Sequence, residues 1–152
     1  LGLKDYLCPA GGCLLTDPEF AARFQDLLEH EPDFGLMDTV LLRYGRHFRL
    51  PSGAKVVCGR DARENPVVEQ SCRGGDAVLV PSEVVGPSVL CRGQATAPED
   101  IECAGRVLAT YTKVGRPVPV LIRHATSAGQ EQWLDHFQPL DPDTLSQWRI
   151  HA

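Results

Sequence analysis

The sequence has no apolar run near the roughly 20 residues that a bilayer-spanning helix needs. Its longest, Ala77 to Val80 and Val118 to Ile122, are only four and five residues, so no membrane partner is expected. The start, Leu1-Gly2-Leu3-Lys4-Asp5-Tyr6-Leu7, lacks a basic region ahead of a long apolar stretch, which excludes a signal peptide. It also lacks an initiator Met, and we read it as a cut inside a longer protein. There is no G-x-x-x-x-G-K-[ST] and no G-x-G-x-x-G, the two glycine loops that cradle phosphates between a strand and a helix. No Gly-x-Ser-x-Gly elbow marks a serine hydrolase. The five histidines (His30, His47, His124, His136 and His151) are dispersed and lack metal-ligand spacing. No internal repeat or low-complexity stretch is present. Six cysteines are too irregularly spaced for a disulfide framework, so a reduced, cytoplasmic setting is expected.

What is present suits one folded domain with a helical lead-in. The 152 residues are 43% hydrophobic and 23% charged, which excludes wholesale disorder. Fifteen basic against 20 acidic residues give a net charge of -5, which taken alone argues against nucleic acid. Divided along the chain, the charge tells a different story. Residues 1–39 balance at -6, residues 64–123 at -1 and residues 124–152 at -3, but residues 40–63 hold Arg43, Arg46, Arg49, Lys55, Arg60 and Arg63 against Asp61 alone, a balance of +5.

Thr16-Asp17-Pro18-Glu19 supplies a cap, a first-turn Pro and an acid for the helix dipole, which predicts a helix from about Pro18 to His30. Phe20, Phe24, Leu27 and Leu28 form its apolar face. A shorter helical stretch follows at Leu36 to Tyr44. His47-Phe48-Arg49-Leu50 and Ala54 to Cys58 flank the turn Pro51-Ser52-Gly53, a hairpin pattern. A loop is expected from Gly59 to Pro66, a strand at Ala77 to Val80, and a helix from about Ala97 to Lys113 with Ile101, Ala104, Leu108 and Tyr111 on one face. A strand at Val118 to Ile122 and a short helix from Asp141 to Trp148 complete the reading. The order predicts an α+β domain: a small, mostly antiparallel sheet with one long helix packed on a face, after a helical lead-in. The domains are expected at 1–43, a linker, and 44–152, a binding domain with a C-terminal extension.

Two features carry chemistry. Cys8-Pro9-Ala10-Gly11-Gly12-Cys13 is a Gly-rich loop whose thiols would suit a metal, a persulfide or a redox disulfide, or serve as small hydrophobes beside a turn. The basic block is richer. Arg46, Arg49, Lys55, Arg60 and Arg63 flank the hairpin and its following loop, where several can converge on one surface. Guanidiniums bond phosphates in bidentate fashion and stack on bases. His47 lies inside the block, and Tyr44 and Phe48 interleave with it as candidate stacking rings. The alternatives are a solvated charged sheet face or a protein-protein docking module.

From Arg46-His47-Phe48-Arg49-Leu50-Pro51-Ser52-Gly53 through Gly59-Arg60-Asp61-Ala62-Arg63-Glu64-Asn65, the chain resembles the NFACT RNA-binding domain, NFACT-R. The likeness continues through Gly75 to Val80, Gly86 to Val89, and Pro98-Glu99-Asp100-Ile101 into the helix ending at Lys113. The sequence departs from the family where Asp-x-Trp-Leu-His and Gly-Ser-His-Val would stand, lacking that aromatic and both histidines. The resemblance implies RNA binding, with tRNA the expected ligand and Gly59, Arg60 and Asn65 as loop contacts, supported by the neighbouring Arg63. Cys8 to Pro18 looks like the segment that follows the PP-loop domain of bacterial tRNA thiouridylase-like proteins. That resemblance implies a noncatalytic, cofactor-free C-terminal piece, which holds tRNA while an N-terminal PP-loop domain uses ATP to activate and sulfurate a uridine.

Overall fold

The structure, a computed structural model, describes residues 16–93, 97–112, 114 and 116–151. Cys8 and Cys13 lie outside the described residues. The chain divides into two compact units, Tyr44–Arg149 and the described residues before it together with Ile150 and His151.

In the first unit, helix α1 (Pro18–His30) starts where Asp17 Oδ1 accepts from Glu19 N at 2.9 Å, with Pro18 in the first turn. Its inward stripe buries Phe20 and Leu27 with Leu42, and Phe24 and Phe34 pack against them. Arg23, on the same helix, is buried and donates to the Leu42 carbonyl at 3.0 Å. Helix α2 (Leu36–Leu41) is set by Asp38, whose carboxylate accepts from Gly35 N at 2.8 Å.

The second unit is built on one six-stranded sheet in which every neighbouring pair is antiparallel. In chain order its elements are β1 (Arg46–Arg49), β2 (Lys55–Cys58), α3 (Asn65–Gln70), β3 (Ala77–Pro81), β4 (Val89–Arg92), α4 (Pro98–Thr112), β5 (Val118–Thr126), β6 (Gly129–Phe137) and α5 (Pro142–Trp148). The strands lie in the order β1-β2-β4-β3-β5-β6. The β1–β2 hairpin turns through Gly53, whose φ of +95° is open to glycine at no steric cost.

Side chains alternate across a strand, so Phe48, Val56, Cys58, Val89, Cys91, Leu79 and Ile122 share the face covered by α4. They form the main core there with Ile101, Ala104, Val107 and Leu108. The helix settles closely because Gly105 lies against the Phe137 ring, where a Cβ would collide.

The structure departs from the sequence reading in three places. The loop expected to run to Pro66 ends at Asn65, where α3 begins with Pro66 in its first turn. Strand β4, four residues of which three are fully buried, is too short to carry a period. Strand β6 is an edge strand exposed along most of its length, and its Gly129-Gln130-Glu131-Gln132 start has none of the apolar alternation that marks a strand.

Candidate nucleic-acid interface

The loop after β2 is held by its own acids. Asp61 Oδ1 accepts from Arg63 N at 2.9 Å and Glu64 N at 3.1 Å, an Asx turn that starts the chain towards α3. Those amides hold the Asp61 carboxyl below its ordinary range. Glu64 folds back beneath the loop. Its Oε1 accepts from Gly45 N at 3.1 Å, Arg60 N at 2.9 Å and Arg60 Nε at 3.1 Å, and its Oε2 accepts from Arg60 Nη2 at 2.7 Å. The forked guanidinium pulls the Glu64 carboxyl down to about 2. One carboxylate thus fixes both the loop backbone and the direction of Arg60, whose Nη1 is left outside the fork.

The same loop is stapled to the segment before β4. Gly59 N donates to the Ser88 carbonyl at 3.0 Å, and Asn65 Oδ1 accepts from Ser88 N at 3.0 Å. Asn65 Oδ1 stands within clashing distance of a Cβ on residue 59, so a side chain at 59 would push this carboxamide aside. That clash is a physical reason for Gly and Asn at this spacing.

Between the loop and the end of α4 is a cleft of about 370 Å³ lined by Arg46, Gly59, Arg60, Asp61, Asn65, Val85, Gly86, Pro87 and Tyr111. Arg46, on the α4 side of β1, lays its guanidinium over the Tyr111 ring, 4.2 Å from the centroid. Burial raises the Tyr111 hydroxyl, and the charges of Arg46 and Arg149 oppose that rise. Cys58 lies below, among Arg46 and Arg149, but burial pushes its thiol up to about 12, so it stays protonated. Two guanidiniums, Arg46 and Arg60, therefore line the cleft together with the Asp61 carboxylate.

The expected contact residues divide in two. Arg46, Gly59, Arg60 and Asn65 line the cleft, and Arg63, with its side chain 93% exposed, stands beside it. The other three do not join them. Alternation along β1 turns His47 and Arg49 to the opposite face, and the register pairs Arg49 with Lys55 at the far end of the hairpin from Arg46 and Cys58. His47 is buried, with Nε2 donating to the Tyr44 carbonyl at 2.8 Å, and Lys55 is buried as well. Arg49 donates Nη1 to the Gly53 carbonyl at 2.9 Å, bracing the turn. Burial removes His47 and Lys55 from any RNA-contacting surface. It likewise removes Phe48, a core residue and not a stacking platform. Tyr111 is the aromatic at the cleft. Its helical spacing reads as core, and only the folded chain brings it to Arg46.

The Gly75-Asp76 turn, in contrast, is architectural. Buried Asp76 accepts from Arg92 Nη2 at 2.8 Å and Nε at 3.0 Å, and from Arg73 N at 3.0 Å.

Residues 45–149 match the family described as the NFACT protein RNA binding domain. No curated protein matches the sequence. Among solved structures, the chain is similar to the C-terminal part of the fibronectin/fibrinogen-binding protein from Streptococcus suis, with a TM-score of 0.57 at 12% identity. The match covers 86% of this chain and 61% of that one, so this chain spans less than two thirds of that structure. At such low identity the likeness is one of fold.

Proposed function

The chain belongs to the NFACT RNA-binding domain family, and from that premise we propose that it serves as the tRNA-holding module of a tRNA-modifying, thiouridylase-like enzyme. The module itself binds and does not catalyse. An N-terminal PP-loop domain of the same cytoplasmic protein would bring ATP and perform the sulfur transfer. The observation that carries the reading is the convergence of Arg46, Arg60 and Asn65 on one cleft with Tyr111. Guanidiniums grip phosphates as bidentate donors, and a ring and a carboxamide between them offer stacking and hydrogen bonding to a base. The overall charge of -5 confines the attraction to this patch, so binding by this chain is modest and local.

Labelled tRNA titrated with the protein tests the reading. Affinity should fall as salt rises, because phosphate contacts release counterions. No binding at low salt contradicts it. The thiols of Cys8 and Cys13 remain the basis of a separate reading, sulfur carriage, which mass spectrometry for a persulfide on the full-length protein would test.

A further inference from the structure

We propose that the cleft receives one unpaired nucleotide and favours a base that offers a carbonyl oxygen at the edge facing Asn65. This rests on the RNA-binding reading and adds to it the form of RNA and the base chemistry.

Size argues for a single nucleotide. The volume of about 370 Å³ lies at the lower end of the range, about 300–1,000 Å³, in which small-molecule sites fall. A concavity of that kind suits a base splayed out of a strand, and the shallow groove of a duplex has nothing to insert. Its walls suit a base as well. Arg46, its guanidinium over the Tyr111 ring, and Tyr111 itself are the two kinds of side chain on which unstacked RNA bases lie, and Pro87 and Val85 add apolar lining. Val85 is 95% exposed, an apolar side chain left in water at the rim.

Polarity is set by a bond already made. Asn65 Oδ1 accepts from Ser88 N at 3.0 Å, and only the oxygen of a carboxamide can accept from an amide N–H. The Nδ2 group is therefore the end left for the cleft, and it only donates. Uracil and cytosine share the O2 acceptor, but cytosine carries an amino donor where uracil has O4, and it is the 4-position of the base that meets Asn65. Donor against donor is repulsive, so the locked carboxamide discriminates between two pyrimidines that stack alike. Arg60, whose Nη1 is outside the Glu64 fork, is placed to meet the phosphate of the same nucleotide.

The test is fluorescence anisotropy with labelled ten-residue oligouridine, oligocytidine and an RNA duplex, titrated with the full chain at low salt. The wild type should bind oligouridine about five- to tenfold more tightly than oligocytidine, the value of one hydrogen bond gained or lost, and the duplex more weakly than oligouridine. Asn65→Asp keeps the acceptor for Ser88 N and replaces the donor by an acceptor, so it should bring the uridine-to-cytidine ratio to about one or below. Equal affinity for the two single strands in the wild type, a duplex bound as tightly as oligouridine, or an unchanged ratio in Asn65→Asp overturns the proposal while RNA binding itself stands. Absence of binding to every RNA, tRNA included, overturns both.

Discussion

The Asn65 carboxamide oxygen lies against Gly59, within clashing distance of where a Cβ of residue 59 would be, and from there it accepts the Ser88 amide at 3.0 Å. Gly59→Ala should therefore push the carboxamide off Ser88 and loosen the loop from the segment before β4. Urea denaturation should show a loss of about 1–3 kcal/mol, the usual cost of overpacking, and RNA affinity should fall with it. Asn65→Ala should cost about 1–2 kcal/mol, because it leaves the Ser88 amide without its acceptor.

Glu64 makes the loop sensitive to acid. Its folded carboxyl is drawn from an ordinary 4.5 down to about 2 by the Arg60 guanidinium. A depressed folded value means that the ionised group adds stability, fully present above about 4.5 and lost as pH falls towards 2. Thermal melts of the wild type should decline more steeply through that window than those of Glu64→Gln, which lacks the titrating group. At neutral pH, Glu64→Gln should cost about 1–2 kcal/mol through its weakened charge-assisted bonds and should weaken RNA binding by freeing Arg60.

The division of the basic block between the two sides of the hairpin predicts unequal mutants. Arg60→Ala should weaken RNA binding by about tenfold and reduce the slope of log affinity against log salt by about 0.7 to 0.9, the share of one phosphate contact. Arg49→Ala, which unties the Gly53 carbonyl on the face away from the cleft, should leave affinity within about twofold. Filter binding over a series of salt concentrations reads both quantities. Reversal of Arg60 and Arg63 to Glu should abolish RNA binding, whereas a protein-docking role would leave association intact.

Asp76 should behave as part of the scaffold. Its carboxylate is buried against Arg92 at 2.8 Å, and removing one partner of such a pair leaves an uncompensated charge. Asp76→Ala should destabilise the fold by about 3–5 kcal/mol in chemical denaturation. Wherever the variant is still folded, its affinity for RNA should match that of the wild type.

Local chemistry made much of this legible in advance. The cap of α1, the β1–β2 hairpin and α4 announce themselves through Asp17-Pro18, Pro51-Ser52-Gly53 and the stripe from Ile101 to Leu108. Strand β6 stayed hidden because pairing with β5, and not burial, holds its polar residues in place. At the site, the loop from Gly59 to Asn65 was readable as a motif. Burial of His47 and Lys55 was not, since a four-residue strand leaves open which way its charges turn. The place of Tyr111 depends on a contact between residues 46 and 111 that no local pattern encodes.

The central claim, that RNA is held at the cleft between the Gly59–Asn65 loop and the end of α4, is tested most directly by ¹H–¹⁵N NMR of the labelled protein titrated with tRNA or a short single strand. Shifts concentrated on the amides of Gly59 to Asn65, Val85, Gly86, Ser88 and Tyr111 are the predicted result. Shifts confined to the β5–β6 hairpin or to the Arg49–Lys55 end of the sheet, with those amides unmoved, would contradict it.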